Sequence, residues 1–581
     1  MNYSDIPAAQ TIVAYCQVYG IKNIVISPGS RNAPLTLGFT KNTFFNCYSI
    51  VDERCAAFFA LGMSTQLQQP TAIVCTSGSA VLNYYPAVAE AFYSHVPLVV
   101  ISADRPRYKI DIGDGQTIRQ ENILEKHIGY SANLKQDVCH ATEAINRLAP
   151  DLRADTQEAV QQFNSEEIGK ALTVAISQKL PVHINAPFEE PLYGTQKGMS
   201  IATPEVDFFP KKNEAYFSEL LSLWNNTKRK MVLVGVNRPD AIEQKYINRL
   251  GEDESVVVLT ETTSNLYHEN FFPSIDSIIA PIEMQQNREE LFERLRPELL
   301  LTFGGMIVSK KIKAFLRRHR PKYHYHIGRE QHNDTFFSLT QRLEMAPQDF
   351  FEVFFKDARP SKSSFRNSWS RFKTQYHQKR PEYLKQAPFC DFTAFSAIVE
   401  SIPEQYQVHF ANSSAIRYSQ LFDIHQSVKM YCNRGTSGIE GSTSTAVGAA
   451  VHNGPPTLLV TGDLGFFYDG NALWNDYIRS DFRIIVVNNS GGGIFRILPG
   501  AENTKEFATY FETRHSLTAQ QLCDLYGFEY TESNGLDELS KALIAFYKES
   551  KKPKLLEVFT PAELNDKILL AYFDFLSSKQ L

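Results

Sequence analysis

Short runs of consecutive apolar residues, each followed by small and polar residues, constrain the fold more than any other feature of this chain. The run 23–26 ends in Ser-Pro-Gly-Ser, and the run 72–75 ends in Thr-Ser-Gly-Ser. Strands that are apolar on both faces are typical of parallel sheets that helices cover on both sides. Ligands of such sheets bind beyond the carboxyl ends of the strands. The sequence therefore predicts an α/β fold whose functional groups lie in the loops after the strands.

These apolar runs fall into three blocks along the 581 residues, a length that favours three or more domains. We predict a first α/β domain over 1–190, a central α/β domain over 191–355 and a third over 391–581. Residues 356–390 are dense in Lys, Arg, Ser and Gln and are predicted to form a surface connector, partly helical. The predicted strands are 23–26, 72–75, 98–101 and 182–184, then 231–234, 256–259 and 299–302, and finally 408–410, 458–460, 484–487 and 555–558.

Composition excludes several classes of protein. Apolar residues make up 43% and charged residues 21%, which is ordinary globular usage and excludes wholesale disorder. The formal charge of −5 argues against a general nucleic-acid-binding protein. No apolar run is long enough for stable membrane insertion. The eight cysteines form no CxxC pair and the first ten residues do not resemble a signal peptide, so we expect free thiols and a cytoplasmic protein.

The most informative local pattern is a Gly-Asp pair followed by an Asn-Asn pair. Asp463, preceded by Gly462, follows one apolar run, and Asn489 follows the next run 26 residues later. Their carboxylate and amide oxygens, with a backbone carbonyl from the glycine-rich turn at Gly491, form a set that suits Mg²⁺ bound to a diphosphate. Either half alone is more often an ordinary turn after a strand. The two halves together favour a metal site.

This pattern resembles the diphosphate and metal motif of thiamine-diphosphate enzymes. Families of that superfamily place a pyrimidine domain and a diphosphate domain at opposite ends of the chain with a third domain between them, similar to the three blocks above. The resemblance implies thiamine diphosphate as cofactor and Mg²⁺ or Mn²⁺ as metal, bound by Asp463, Asn489 and Gly491. The implied cofactor-binding residues are Glu53, Gly78, Ser437, Ile439, Gly462, Asp463, Leu464 and Asn489.

Glu53 is the implied catalytic residue, because the superfamily requires a glutamate that protonates the pyrimidine ring of the cofactor. It stands at the head of an apolar, alanine-rich helical run. A carboxylate that is desolvated between two subunits has a raised pKa and can hold a proton. Taken alone, Glu53 is better explained as an acid that stabilises the start of a helix. The motif around Asp463 makes catalysis the better interpretation.

Several longer segments carry a more specific pattern, namely 26–37, 52–54, 76–80, 103–106, 116–120 and 433–439. Together they resemble one family, 2-succinyl-5-enolpyruvyl-6-hydroxy-3-cyclohexene-1-carboxylate synthase of menaquinone biosynthesis. They belong to both end domains, so the resemblance spans nearly the whole chain and is weakest in the middle third. It implies an enzyme that decarboxylates 2-oxoglutarate and adds the succinyl carbanion equivalent to isochorismate.

Such a reaction holds several carboxylates, and arginine suits this task because its planar fork binds a carboxylate through two hydrogen bonds. By motif, Arg31, Arg105 and Lys310 fall on the isochorismate side, and Arg417 and Arg434 on the succinyl side. An arginine taken alone is more often part of a surface salt bridge. The full set of implied substrate-binding residues is Ser30, Arg31, Arg105, Gln116, Lys310, Ser413, Arg417, Arg434, Phe495 and Leu498.

Two positions depart from the family pattern. The family often has Lys-Arg where this chain has Lys310 and Lys311, so the second position keeps its charge and loses the bidentate fork. Gly115 replaces an asparagine, which removes a side-chain hydrogen bond. Ile439 matches the bulky residue that holds the cofactor in its bent shape, although it also fits an ordinary core position.

The resemblance also implies a homodimer as the minimum assembly, with a homotetramer as the larger alternative, because the cofactor is held between subunits. Two other functions stay open. One is another thiamine-diphosphate decarboxylase, or an enzyme like acetohydroxyacid synthase, against which the arginine-rich motifs argue. The other is a binding or regulatory protein that has lost catalysis, which the presence of Glu53, Asp463 and Asn489 disfavours.

Overall fold

The computed structural model describes residues 2–202, 217–328, 334–452, 454–497 and 504–578. It has the predicted α/β fold, with three parallel sheets flanked by helices. The chain groups into two compact units, of which the first is formed by Met1–Lys211, Glu440–Gly454 and Asp469–Arg479. The second unit is formed by Lys212–Ile439, Pro455–Tyr468 and Ser480–Leu581 and contains two of the three sheets.

The first unit is built on a six-stranded parallel sheet of order β3-β2-β4-β5-β7-β6, with β1 and β8 forming a separate antiparallel pair. The strands are β1 (Asn2–Ser4), β2 (Asn23–Ile26), β3 (Asn46–Ser49), β4 (Thr71–Cys75), β5 (Leu98–Asp104), β6 (Tyr130–Asn133), β7 (Val182–Pro187) and β8 (Thr195–Lys197). The helices are α1 (Pro7–Val18), α2 (Ala33–Thr40), α3 (Glu53–Leu67), α4 (Ala80–Asn83), α5 (Tyr85–Ser94), α6 (Thr142–Leu148) and α7 (Gln157–Gln178).

The central sheet of the second unit has five parallel strands in the order β10-β9-β11-β12-β13. The strands are β9 (Lys230–Val234), β10 (Val256–Leu259), β11 (Leu299–Phe303), β12 (Tyr323–Ile327) and β13 (Gln341–Leu343). The helices are α8 (Ser218–Asn226), α9 (Gln244–Glu252), α10 (Asp276–Glu283), α11 (Arg288–Leu295), α12 (Lys310–Arg318), α13 (Pro347–Phe354) and α14 (Phe365–Gln386).

The third sheet has six parallel strands in the order β15-β14-β16-β17-β19-β18. The strands are β14 (Gln407–Phe410), β15 (Lys429–Tyr431), β16 (Thr457–Gly462), β17 (Arg483–Asn488), β18 (Glu529–Ser533) and β19 (Lys554–Phe559). The helices are α15 (Asp391–Ser401), α16 (Ser414–Ser419), α17 (Ser442–Ala450), α18 (Asp463–Tyr468), α19 (Gln520–Tyr526), α20 (Leu536–Phe546) and α21 (Asn565–Ser577), of which α17 belongs to the first unit.

The segment predicted as a surface connector contains α14, a helix of 22 residues. Phe365, Trp369, Phe372 and Tyr376 recur every three or four positions and are buried in an apolar core of the second unit. This spacing gives the helix one apolar face. Two of its basic residues, Lys379 and Arg380, are buried as well. Its arginines and lysines dominate the composition of the segment and obscure this apolar face in the sequence.

Glycines allow α3 and α17 of the first unit to pack in close contact. A Cβ atom on Gly62 would lie 2.0 Å from the carbonyl oxygen of Thr445, and one on Gly448 would lie 2.0 Å from that of Phe59. Any larger side chain at either position therefore separates the two backbones. Since α3 begins with Glu53, this contact fixes the helix that carries the predicted catalytic acid.

No helix among the described segments is long and apolar enough to cross a membrane.

Candidate active site

The Gly-Asp and Asn-Asn motifs follow neighbouring strands of the third sheet. Strands β16 and β17 are paired in parallel, so Asp463 and Asn489 emerge at the same edge. Asp463 is 3% exposed, and its Oδ2 accepts a hydrogen bond from the backbone N–H of Gly491 at 2.9 Å. The backbone N–H of Leu464 donates to its Oδ1 at 2.7 Å. The carboxylate is thus held in place by the two loops that the motif predicts.

The side-chain oxygen of Asn489 has no hydrogen-bond partner. Its Nδ2 donates to Oδ2 of Asp391 at 3.0 Å, whereas its Oδ1 is buried without a hydrogen-bond partner. A buried acceptor without a partner is costly in a folded protein and therefore indicates a missing ligand. The carbonyl of Gly491 accepts from Gly493 at 3.1 Å and keeps one lone pair. Carboxylate, amide and carbonyl oxygens are the donor set that Mg²⁺ prefers, so these residues fit the metal.

The donor set is poor in charged ligands. Within the described ranges, no group of three or more His, Cys, Asp or Glu side chains is arranged to hold a metal ion. The amide of Asn489 and the carbonyl of Gly491 are outside that definition. A cation that retains waters and binds phosphate oxygens needs only one or two protein carboxylates. A site with Asp463 as its carboxylate is therefore compatible with the absence of a cluster of three such side chains among the described residues.

Two titratable side chains that the sequence analysis did not identify support this site. Burial raises the pKa of Asp391 to about 6, and Oγ1 of Thr560 donates to its Oδ1 at 2.5 Å. His515 Nε2 lies 3.2 Å from Asp463 Oδ2, and this contact raises the pKa of the imidazole. Asp391 begins α15, far from either motif in sequence, so no local signal points to it.

The turn after Asn489 requires glycine. Gly491 has φ +148°, and a Cβ atom on it would lie 2.5 Å from the carbonyl oxygen of Glu512. That carbonyl accepts a hydrogen bond from Gly492 at 2.6 Å. The Glu512 carboxylate is in turn held by Arg496 and by Arg514, the latter at 2.9 Å. The turn is therefore anchored to an ion-pair network whose acid, Glu512, is buried.

One cavity of the second unit brings together eight of the predicted site residues. Ile439 is 37% exposed, so it is not an ordinary core residue, and it lines this cavity together with the metal motif. Phe495 contributes to the apolar part of the wall, whereas Leu498 lies outside the described residues. The predicted residues that line the cavity are Ser413, Ile439, Gly462, Asp463, Leu464, Asn489, Gly491 and Phe495.

Asn412 holds the loop that carries Arg434, Ser437 and Ile439. Its Nδ2 donates to the carbonyl oxygens of Asn433 and Gly438 at 2.7 Å each, and its Oδ1 accepts from Arg434 Nη1 at 2.7 Å. Ser437 has φ +61°, a left-handed conformation that this loop imposes on a non-glycine residue. Asn412 lies two residues after Phe410, the last residue of β14. Functional groups are expected at this position, but Asn412 was not predicted from the sequence.

Arg417 and Arg434 interact electrostatically with each other and with buried acids. Burial lowers the pKa of Arg417, Asp276 raises it and Arg434 lowers it. Burial raises the pKa of Glu261 to about 7, although its carboxylate accepts hydrogen bonds from the backbone of Val308 and Ser309 at 2.7 Å each. Two neighbouring arginines repel each other and so favour an added anion. The predicted pairing of these arginines with a substrate carboxylate has a physical basis.

The two lysines at the start of α12 have different surroundings. Lys310 is exposed, and Lys311 Nζ contacts Oε2 of Glu283 at 2.5 Å. The residue that departs from the family pattern is therefore engaged in an ion pair, which leaves Lys310 as the solvent-facing charge.

In the first unit, Glu53 is the first residue of α3 and is half-buried. Burial raises the pKa of its carboxyl group, the nearby Asp52 acts in the same direction, and a hydrogen bond from Asn83 acts in the opposite direction. This is the direction needed to retain a proton. An acid whose only role is to interact with the helix dipole would have its pKa lowered.

The loops after β4 and β5 meet at Gly78. Its backbone N–H donates to Gln120 Oε1 at 2.8 Å, and with φ +87° a Cβ atom would lie 3.1 Å from the backbone of Gln116. Gln116 itself is exposed, as is Ser30 after β2. The carbonyl of Gly115 accepts from Arg105 Nη2 at 3.1 Å, so this position contributes through its backbone.

Arg31 and Arg105 share an acid that the sequence analysis missed. Oε1 of Glu190 contacts Arg31 Nη2 and lies 3.6 Å from Arg105 Nη1. Glu190 lies three residues after Pro187, the last residue of β7, at the sheet edge where the other loops lie. Because ligands bind beyond the carboxyl ends of parallel strands, this position could have been predicted from the sequence. The two predicted arginines are thus brought together around one carboxylate.

Comparisons with known proteins identify the family of this chain. Residues 6–127 match the family model "Thiamine pyrophosphate enzyme, N-terminal TPP binding domain". A protein of Christiangramia forsetii named 2-succinyl-5-enolpyruvyl-6-hydroxy-3-cyclohexene-1-carboxylate synthase is 53% identical over 100% of both chains. Proteins of the same name from Flavobacterium johnsoniae and Porphyromonas gingivalis are 50% and 36% identical, the first over 99% of both chains and the second over 100% of this chain and 98% of its own.

The α/β fold and the matched domain make this chain a thiamine-diphosphate-dependent enzyme, which confirms the cofactor that the sequence predicts. With full-length relatives at this identity, it belongs to the 2-succinyl-5-enolpyruvyl-6-hydroxy-3-cyclohexene-1-carboxylate synthase family, and the predicted membership is confirmed.

Proposed function

We propose that this enzyme decarboxylates 2-oxoglutarate and transfers the resulting succinyl group to isochorismate, giving 2-succinyl-5-enolpyruvyl-6-hydroxy-3-cyclohexene-1-carboxylate for menaquinone biosynthesis. Full-length similarity to synthases of that name supports the reaction. The buried, unpartnered Oδ1 of Asn489 beside the Asp463 carboxylate carries the structural part of the proposal, since this pair fits a metal-bound diphosphate.

Mg²⁺ or Mn²⁺ would be held by Asp463, Asn489 and the carbonyl of Gly491, and would bind the diphosphate of the cofactor. When bound, thiamine diphosphate supplies a carbon nucleophile and accepts the electron pair that is released with carbon dioxide. Ile439 would support the cofactor from the cavity wall. Residues 1–190 would form the pyrimidine-binding domain, 191–355 the central domain, 356–390 the connector and 391–581 the diphosphate-binding domain.

The carboxyl group of Glu53 would hold a proton for the pyrimidine ring, which its raised pKa supports. Gly78 lets the backbone approach the cofactor closely, because no Cβ atom stands in the way. The glutamate and the metal motif would act on one cofactor across a subunit boundary. We therefore propose a homodimer at minimum, with a homotetramer as the larger alternative, in the cytoplasm.

The substrates would be bound by charge. Arg417 and Arg434 would bind a carboxylate of 2-oxoglutarate together with Ser413, and the apolar wall of Phe495 and Leu498 would exclude water from the reacting atoms. On the other side, isochorismate would be bound by Ser30, Arg31, Arg105, Gln116 and Lys310. Two arginines on each side orient the substrates before reaction, which lowers the entropic part of the barrier.

Product analysis tests the proposal. Purified protein is incubated with thiamine diphosphate, Mg²⁺, 2-oxoglutarate and isochorismate, and the product is identified by mass spectrometry. Omission of each component in turn should abolish the product. Formation of an acetoin-type product from pyruvate alone, with no succinyl product, would assign the chain to a different decarboxylase. Cofactor binding without any turnover would favour a regulatory protein instead.

A further inference from the structure

Glu190 divides its two carboxylate oxygens between different cations of the first unit. Oε1 contacts Arg31 Nη2 and lies near Arg105 Nη1, whereas Oε2 lies 2.9 Å from Lys109 Nζ. Lys109 also contacts Oε1 of the neighbouring Glu189 at 2.6 Å. One oxygen therefore faces the arginines, and the other is held by a lysine that has a second acidic partner.

The exposure of these side chains differs sharply. The side chain of Arg31 is 3% exposed and that of Glu190 is 50% exposed. The arginine is fixed by the surrounding protein, with its Nη1 donating to the carbonyl of Phe188 at 2.8 Å. The glutamate can turn into solvent at a small cost in packing, because half of its side chain is already in water. If one member of the pair moves, it is Glu190.

Both guanidinium groups retain unused donors. The Nε atoms of Arg31 and Arg105 are buried and have no hydrogen-bond acceptor. Hydrogen bonding to Glu189 and contacts with Lys109 and Arg31 lower the pKa of Glu190, so it remains an anion. The buried Arg31 and the partly buried Arg105, whose side chain is 17% exposed, both have spare donors and share one exposed counter-ion. Such a site can exchange that counter-ion for another carboxylate.

We propose that Glu190 is a specificity-determining residue, whose carboxylate occupies the position between Arg31 and Arg105 that a substrate carboxylate takes on binding. This inference rests on the proposed function of the two arginines in isochorismate binding. When the substrate binds, Glu190 leaves the arginines and stays attached to Lys109 through Oε2. A neutral ligand cannot take the place of the Glu190 carboxylate, because it would leave the buried Arg31 and the partly buried Arg105 without this counter-ion. The exchange thus admits carboxylates and rejects neutral analogues.

The test is calorimetric binding of isochorismate to the enzyme loaded with thiamine diphosphate and Mg²⁺, without 2-oxoglutarate, so that no turnover occurs. Glu190→Gln removes the competing charge, and the Kd of isochorismate should fall roughly threefold to tenfold. Lys109→Met removes the alternative partner of Glu190, and the Kd should rise. Glu190→Asp, which keeps the charge, should stay closer to the wild-type Kd than Glu190→Gln does.

A purely structural role for Glu190 predicts the opposite sign, because loss of its contact would disorder Arg31 and weaken binding. An unchanged or increased Kd in Glu190→Gln would therefore overturn the inference. A second measurement does not depend on isochorismate. The increase in Tm that sulfate causes should be larger in Glu190→Gln than in the wild type. If the wild type binds no isochorismate, the proposed function fails, and the sulfate comparison still decides whether Glu190 competes with anions.

Discussion

The Oδ1 atom of Asn412 accepts a hydrogen bond from Nη1 of Arg434 at 2.7 Å. The same side chain donates to the two carbonyl groups that flank the intervening loop, those of Asn433 and Gly438. A single buried amide thus orients a predicted substrate-binding arginine and fixes the loop that leads to Ile439. The geometry of this part of the site therefore depends on Asn412.

Replacement of Asn412 should separate these two roles. Asn412→Asp keeps an acceptor for Arg434 and loses both donations to the loop, whereas Asn412→Ala loses these three hydrogen bonds and the one from Cys432 Sγ at 3.4 Å. We expect the KM for 2-oxoglutarate to rise about tenfold or more in Asn412→Ala, and a smaller increase in Asn412→Asp, because hydrogen bonds to charged groups contribute about 1.5–3 kcal/mol. Steady-state kinetics measure the two values. Equal KM increases in both variants would assign the effect to the loop carbonyls instead.

Glu53→Gln should remove most of the activity while the fold persists. The amide cannot hold the exchangeable proton, so we expect kcat to fall about 10²- to 10⁴-fold, as is usual when an acid–base group is lost. Glu158→Gln is the matched control, because Glu158 is an exposed acid in the first turn of α7. Circular dichroism verifies the fold of both variants. Wild-type turnover in Glu53→Gln would exclude the proton-transfer role.

Asp463→Asn should weaken metal-dependent cofactor binding. The substitution removes the negative charge at the proposed cation site and keeps the size of the side chain, so the Kd of thiamine diphosphate in the presence of Mg²⁺ should rise about 100-fold or more. Calorimetry with and without a chelator measures the effect, which the chelator should reproduce in the wild type. Asp524→Asn, at an exposed position of α19, serves as control. Unchanged cofactor affinity in Asp463→Asn would refute the metal assignment.

Glu261 should make the stability of the fold depend on pH. Burial raises its pKa from 4.5 to about 7, so the folded state binds a proton that the unfolded state releases between these values. The stabilisation is complete below pH 4.5 and is lost as the pH rises through about 7, with an upper magnitude of about 3 kcal/mol. In calorimetric melting, the Tm of Glu261→Gln minus the Tm of the wild type should increase between about pH 5 and about pH 7.5. A constant Tm difference would show that Glu261 does not titrate in this range.

Most of the strands that the sequence predicts lie in the interior of the sheets. The exception is β10, an edge strand of the central sheet, and the interior strand β12 was missed. Apolar runs such as 256–259 and 484–487 occur in the structure as β10 and β17 with at most one added residue at each end. Most edge strands were missed, because a strand paired on one side keeps polar and exposed residues. In β3, for example, two of four residues are exposed, and in β18 only Ser533 is buried. Their apolar signal is too weak to stand out from loops.

The site was predicted where its chemistry lies within a short motif. Asp463 and Asn489 each lie within three residues of the end of an apolar run, and parallel strands present their carboxyl ends at one edge of a sheet. This rule is enough to bring the two residues together. Asp391, Asn412, Glu190 and Glu261 were missed for a different reason. Each acts on a residue that is distant in sequence, as Asp391 acts on Asn489, and pairing between distant side chains is a property of the folded chain alone.

The close approach of Gly62 to Thr445 has a consequence for biosynthesis of the protein. When the first two hundred residues have left the ribosome, all strands of the first six-stranded sheet are present. Helix α17, against which Gly62 of α3 packs, has not yet been synthesised. That neighbour is translated more than two hundred residues later. The face of α3 that packs against α17 is therefore exposed to solvent during synthesis. A fragment that ends before residue 440 should require chaperones or aggregate.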